Sequence, residues 1–123
     1  MHAPFNDMLG VGLDMRVPWT PWELPWWGDP RNATELATTV ADSPYDLVDA
    51  ITVQTRQTVL VVTARNDARV LYQETVRLAA HISVAEKRPL LLHVYPDGGH
   101  WSGTDSDGVA EWMSLAVETL SSH

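Results

Sequence analysis

A chain of 123 residues with 45% hydrophobic and 20% charged residues has the composition of one small soluble globular domain, not of a disordered segment. Its formal net charge of -8 argues against partners such as nucleic acid or anionic membrane surfaces, because both would repel it. The absence of cysteine excludes disulfides, thiol catalysis and thiolate metal sites. No apolar run approaches membrane-spanning length and the amino terminus lacks a signal-peptide pattern, so we expect a cytoplasmic location.

Residues 17–30 are rich in proline and hold four of the chain's six tryptophans. Each proline removes a backbone donor and fixes φ, so we expect this segment to be a loop without regular structure. Exposing tryptophans at this density is costly, and the loop is therefore expected to pack. It would cover a small satellite core, form a wall of a substrate pocket, or serve as a surface for another segment.

The segments on either side of this loop favour short helices. Residues 4–13 resemble a short helix or turn, and residues 32–40 permit a helix that residues 43–46 would end. Residues 47–51 alternate too poorly to be assigned.

The second half of the chain has a clearer pattern. Short unbroken apolar runs at 58–64 and 90–95 predict strands that are buried on both faces. Amphipathic segments predict a crossover helix over 70–85 and a final helix over 109–120. A helix between two such strands indicates a β-α-β unit with parallel strands, so the predicted fold class is α/β.

Asp67 and His100 each follow the carboxyl end of a predicted strand. These ends meet at the rim where open α/β sheets bind ligands, and neighbouring strands lie about 5 Å apart, so we expect the side chains to come within hydrogen-bonding reach. Together they would form two members of a nucleophilic triad. Taken singly, each is more typical of an ordinary turn or loop. The sequence contains no G-x-S-x-G motif, and Ser102 lies too close to His100 to form such an elbow.

A zinc site formed by His93, Asp97 and His100 is the competing interpretation of these residues. His93, however, lies inside the second predicted strand, where its side chain would face sideways and not out of the rim. We therefore predict no metal and no other cofactor.

Five motifs in a fixed order resemble the carboxyl-terminal part of the catalytic domain of prolyl oligopeptidases, most closely the oligopeptidase B branch. They are Pro-Phe-Asn-Asp-Met-Leu at 4–9, Trp-Gly-Asp-Pro at 27–30, Ser-Pro-Tyr-Asp-Leu-Val at 43–48, Asp-Ala-Arg-Val at 67–70 and Gly-Gly-His at 98–100. These motifs extend over nearly the whole chain. The resemblance implies that residues 1–123 form part of the α/β-hydrolase catalytic domain of a serine peptidase.

The resemblance also implies roles for individual residues. Asp67 and His100 match the family's catalytic aspartate and histidine, and Arg69 matches an arginine that contacts the substrate backbone. Glu23 matches the first of two acids that recognise a basic P1 side chain in the oligopeptidase B branch, whereas Pro25 replaces the second.

Other parts of the family's catalytic domain have no counterpart in this sequence. The nucleophile elbow, the oxyanion-hole groups, most of the parallel sheet and the β-propeller would precede residue 1, and two strands alone would leave sheet edges unpaired. We therefore expect a chain that supplies the Asp and His of a Ser-Asp-His triad for peptide hydrolysis. It would be inactive without a second chain that carries the serine-bearing half. The alternative is a catalytically silent remnant or binding module.

Overall fold

The computed structural model describes residues 1–49, 58–86 and 90–121. The chain forms two compact units. The helical unit is Phe5–Thr52, and the sheet unit combines Met1–Pro4 with Val53–His123. Within the described ranges, no helix is long and apolar enough to cross a membrane.

Four short helices build the helical unit. They are α1 (Met8–Leu13), α2 (Thr20–Trp27), α3 (Ala33–Ala41) and α4 (Pro44–Leu47). The Asp7 carboxylate accepts the Gly10 N–H and caps α1, and the Asn32 side chain accepts the Thr34 N–H and caps α3. Helices α1 and α3 lie where the sequence favoured helices. Residues 50 and 51 of the unassigned run lie outside the described residues.

The expectation of an irregular loop at residues 17–30 is wrong, because α2 occupies part of it. Pro21 lies in the first turn of α2, where a backbone N–H would have no intrahelical partner to lose. Pro25 removes one hydrogen bond from the interior. The helix still continues to its end, where Gly28 N–H donates to the Leu24 carbonyl at 2.9 Å. Proline position, and not proline number, therefore decides the structure here.

The tryptophans of this segment do not form the satellite core that was one of the expectations. Trp22 is 74% exposed and Trp26 is 83% exposed. Trp27 is about half exposed and has a tilted ring contact with Phe5, with 6.1 Å between ring centroids. The apolar core of the helical unit comes instead from smaller residues, namely Met8, Val11, Val17 and Val48.

The sheet unit is built on two strands, β1 (Val59–Ala64) and β2 (Leu90–Tyr95), which are adjacent and parallel. Helix α5 (Tyr72–Glu86) connects them, and helix α6 (Ser106–Ser121) follows β2. The strands pair in register from the first residues to the last, so their carboxyl ends lie side by side. This is the α/β arrangement that the apolar runs predicted.

A short segment at the amino terminus pairs with the side of β1 opposite β2. Ala3 N–H donates to the Val62 carbonyl, and Val62 N–H donates to the Met1 carbonyl, each at 2.8 Å. The expectation that two strands stand alone is therefore incomplete, because β1 is hydrogen-bonded on both sides.

Burial differs strongly between the elements of the sheet unit. Residues 61–64 of β1 are buried, so both faces of that strand are covered, and α5 adds buried Leu78 and Ala79. On α6, by contrast, Met113 and Val117 are more than half exposed. The apolar face of α6 is therefore only partly covered by the described residues.

Candidate active site

Asp67 and His100 come together at the carboxyl ends of β1 and β2. Nδ1 of His100 lies 2.9 Å from Oδ2 of Asp67, the hydrogen-bonded contact that the sequence predicted. An ionised carboxylate only accepts hydrogen bonds, so the shared proton belongs to Nδ1. That assignment fixes the tautomer of the neutral ring and leaves the lone pair on Nε2.

The carboxylate of Asp67 is fixed by the turn that follows it. Its side chain is fully buried. Oδ1 accepts the N–H groups of Arg69 at 2.8 Å and Val70 at 2.9 Å, immediately before α5 begins. A buried carboxylate is costly unless its oxygens are hydrogen-bonded, and here both oxygens have donors. The turn therefore holds Asp67 in place independently of His100.

The imidazole of His100 stays partly open to solvent, with 21% of its side chain exposed. The Trp101 ring packs edge-on against it, with centroids 4.8 Å apart and an interplanar angle of 79°. No described residue forms a hydrogen bond with Nε2. An imidazole held at Nδ1 with Nε2 available can accept a proton from a hydroxyl brought to it.

Backbone hydrogen bonds join the two loops that carry these residues. Asn66 N–H donates to the Gly98 carbonyl at 3.0 Å, and Arg65 N–H donates to the Tyr95 carbonyl at 2.9 Å. A side chain at Gly98 would collide with Ser102 Oγ, so only glycine fits there. The loops therefore form one connected rim, and the distance from Asp67 to His100 depends on both.

Ser102 is no nucleophile for this histidine. Its N–H donates to the Gly99 carbonyl at 3.0 Å and its hydroxyl lies against Gly98, inside the loop. Among the residues that the structure describes, no hydroxyl forms a hydrogen bond with His100.

His93, the third residue of the competing zinc interpretation, contacts Glu111 and Tyr95. Its Nε2 is 3.8 Å from Oε1 of Glu111, and its ring meets the Tyr95 ring edge-on at 4.5 Å. The described part of the chain contains no group of three or more His, Asp or Glu side chains that could hold a metal ion.

The two predicted substrate-binding residues lie in different units. Arg69 is exposed and follows Asp67 in the sheet unit, where its backbone N–H binds the carboxylate. Glu23 lies on α2 in the helical unit and lines a small pocket with Phe5, Leu24 and Trp27. Among the described residues that line this pocket, Glu23 is the one with an acidic side chain.

Two solved structures with a similar fold are oligopeptidase B enzymes. The oligopeptidase B of Trypanosoma brucei, in a closed form with covalently bound antipain, matches with a TM-score of 0.74 and 23% identity. The match covers 94% of this chain and 17% of that one. Oligopeptidase B from Leishmania major matches with a TM-score of 0.69 and 24% identity, over 82% of this chain and 14% of the other.

Sequence similarity leads to the same group of proteins. Protease 2 of Moraxella lacunata is 30% identical over 101 residues, which are 80% of this chain and 14% of that protein. The family model of the prolyl oligopeptidase family matches residues 1–119. The chain belongs to the prolyl oligopeptidase family of peptidases. It spans 14% to 17% of the length of these relatives.

Proposed function

We propose that this chain supplies the aspartate and histidine of the Ser-Asp-His triad in a prolyl-oligopeptidase-type serine peptidase. It would correspond to the carboxyl-terminal part of an α/β-hydrolase catalytic domain. The observation that carries the proposal is the 2.9 Å contact between His100 Nδ1 and Asp67 Oδ2. In such a triad, Nε2 of His100 takes the proton of the attacking serine hydroxyl, and the Asp67 carboxylate stabilises the resulting imidazolium. The same proton then passes to the leaving amine of the cleaved peptide.

The nucleophile would come from a serine-bearing half that this chain does not contain. Two facts support this proposal: no described hydroxyl binds His100, and the sequence contains no G-x-S-x-G motif. An aspartate–histidine pair without a nucleophile has nothing to activate, so the chain alone would be inactive. The proposed partner is a polypeptide that carries the nucleophile elbow and the oxyanion-hole groups, and the complete assembly would act in the cytoplasm.

Arg69 and Glu23 are the proposed contacts to a peptide substrate. Arg69 is an exposed residue, and the donors of a guanidinium suit the carbonyl groups of a peptide backbone. Glu23 lines a pocket with aromatic and aliphatic neighbours, and a carboxylate in such a setting favours a basic side chain. Pro25 stands in place of a second acid, so the charge offered to that side chain is small.

The second candidate is a binding module without hydrolase activity. The nearly uncovered indole rings of Trp22 and Trp26 favour it, because large exposed apolar side chains that lie together mark interaction surfaces. The same exposure is also what a surface meant for the serine-bearing half would show.

Covalent labelling with a fluorophosphonate probe tests the proposal. The chain would be assayed alone and after co-expression with the amino-terminal half of a relative's catalytic domain. We expect no labelling of the chain alone and labelling of the partner's serine in the mixture. His100→Ala and Asp67→Asn should abolish or strongly reduce this labelling, whereas Asp42→Asn, at an exposed helix end, should leave it unchanged.

Two results would contradict the proposal. Labelling of the isolated chain at one of its own serines, lost in His100→Ala, would show that the nucleophile is internal. A stable complex with the serine-bearing half that is never labelled would favour the binding module.

A further inference from the structure

Tyr95, the last residue of β2, contacts both loops of the candidate site. Its backbone carbonyl accepts the N–H of Arg65, at the start of the turn that leads to Asp67. Its side chain lies beneath the loop that carries His100. A Cβ at Gly103 would lie 2.6 Å from the Tyr95 hydroxyl oxygen, so that part of the loop passes directly over the ring. The loop is therefore shaped around the tyrosine side chain.

Helix α6 fixes that ring from the other side. The Tyr95 hydroxyl donates a hydrogen bond of 3.1 Å to Oε2 of Glu111. The next residue, Trp112, donates its indole N–H to the Gly103 carbonyl at 3.1 Å. Two neighbouring side chains of α6 thus have different partners: Glu111 binds the Tyr95 ring beneath the loop, and Trp112 binds the loop backbone at Gly103.

We propose that Tyr95 is a positioning residue for His100, and that Glu111 fixes the Tyr95 hydroxyl for this purpose. The inference rests on the proposed function, since it assigns to the ring the task of keeping His100 Nδ1 against Asp67. Tyr95 touches no reacting atom. Its effect passes through the loop backbone, because a ring that tilts away from Glu111 lets Gly103 and the preceding turn shift. Displacements of well under 1 Å matter in such sites.

The test observes the Nδ1–H proton of His100 by NMR in the full 123-residue chain, so it needs no peptidase activity. The wild-type chain should show a low-field resonance for this proton, which Asp67→Ala removes. In Tyr95→Phe and Glu111→Ala, we expect exchange of the proton with water to accelerate roughly twofold to tenfold, the range set by loss of one hydrogen bond. Glu111→Gln keeps an acceptor oxygen and should restore the wild-type rate. Ser114→Ala, at an exposed position on the same helix, is the matched control.

The outcomes separate this inference from the proposed function. Equal exchange rates in wild type, Tyr95→Phe and Glu111→Ala would overturn the positioning role while the pair remains intact. A wild-type chain without the low-field resonance would overturn the pair, and with it both proposals. Should Tyr95→Phe fail to fold, Glu111→Ala decides, because the Glu111 side chain is 53% exposed and its removal leaves no cavity.

Discussion

Nε2 of His2 donates a hydrogen bond of 2.7 Å to the carbonyl oxygen of Ser102, two residues beyond His100. The segment that pairs with β1 therefore also holds the loop of the catalytic candidate. The next carbonyl along the loop, that of Gly103, accepts the indole N–H of Trp112. The carbonyls of two consecutive loop residues thus accept hydrogen bonds from side chains that are far apart in the sequence, His2 near the amino terminus and Trp112 in α6. Both side chains help to fix the loop.

Replacing His2 with alanine should loosen this loop without unfolding the sheet unit. One hydrogen bond of this kind contributes about 1 kcal/mol, so local opening of the loop should become roughly fivefold more frequent. Amide hydrogen exchange of residues 98–104, followed by mass spectrometry, measures the effect. His2→Gln is the control, since its amide N–H can still donate to Ser102. Faster exchange spread evenly over β1 and β2 would contradict a local role.

Alanine and asparagine at position 67 should have different effects on stability. Asp67→Ala removes the acceptor of the Arg69 and Val70 N–H groups and of His100 Nδ1. The Val70 N–H bond is buried, whereas the Arg69 N–H bond is only partly buried, and one unsatisfied buried donor costs about 1 to 3 kcal/mol. Asp67→Asn keeps one oxygen for the two backbone donors, and its amide N–H can donate to His100 Nδ1 only when the ring takes the other tautomer. Urea unfolding should therefore show Asp67→Ala to be the less stable variant by about 1 to 3 kcal/mol. Equal stabilities of the two variants would show that the turn does not depend on an acceptor oxygen at position 67.

The sequence was informative where its pattern was local and regular. Unbroken apolar runs predicted β1 and β2, and the parallel β-α-β connection alone predicted that Asp67 and His100 lie at one rim, where the structure has them. Helix α2 was not predicted, because the number of prolines does not show that Pro21 occupies a first turn, where proline costs nothing.

Hydrogen bonds between residues far apart in the sequence could not be predicted from it. The bond from His2 to Ser102 joins positions 100 residues apart, and the bond from Tyr95 to Glu111 joins a strand end to a helix. Neither pair belongs to a periodic pattern or a motif. The sequence left open whether the tryptophans are covered, because composition tells how costly exposure is and not whether a covering surface is present.

Two glycines of the loop provide a matched pair of substitutions. Gly103 has a φ of +76°, and a Cβ there would lie 2.6 Å from the Tyr95 hydroxyl, whereas a Cβ at Gly99 meets nothing closer than 3.8 Å. Gly103→Ala should therefore lower the free energy of unfolding by about 1 to 3 kcal/mol. Gly99→Ala should change it by less than about 0.5 kcal/mol. Thermal unfolding monitored by circular dichroism distinguishes the two, and equal losses would mean that backbone strain at Gly103 is not the cause.

Polar substitution of the exposed tryptophans should change surface properties and not stability. Trp22→Gln and Trp26→Gln remove apolar surface from positions that are mostly exposed, so the free energy of unfolding should move by less than about 0.5 kcal/mol. Binding of a hydrophobic dye to the isolated chain, and its self-association in sedimentation, should both decrease. Val11→Gln, in the buried core of the same unit, is the contrasting control and should unfold it. Unchanged dye binding in a variant that carries both tryptophan substitutions would show that the dye binds another apolar surface. The exposed residues Met113 and Val117 of α6 would then be the next positions to change.

The stability of the sheet unit should fall at alkaline pH through Tyr95. Burial raises the pKa of Tyr95 above its ordinary value of 10.0, and the hydrogen bond and negative charge of Glu111 raise it further. In the unfolded chain the hydroxyl ionises near its ordinary value, so above about pH 10 unfolding releases a proton. The free energy of unfolding that Tyr95 contributes is therefore fully present below pH 10.0 and is lost as the pH rises through the folded pKa.

Urea unfolding at about pH 8 and about pH 11, together with tyrosinate absorbance, measures this alkaline loss. Tyr95→Phe should remove the part that comes from this hydroxyl. Glu111→Gln should reduce it, because a neutral amide no longer repels the phenolate. A Tyr95→Phe chain that loses as much stability as the wild type between these two pH values would show that another group causes the alkaline effect. The contact between Tyr95 and Glu111 would then be too weak to hold the ring beneath the His100 loop.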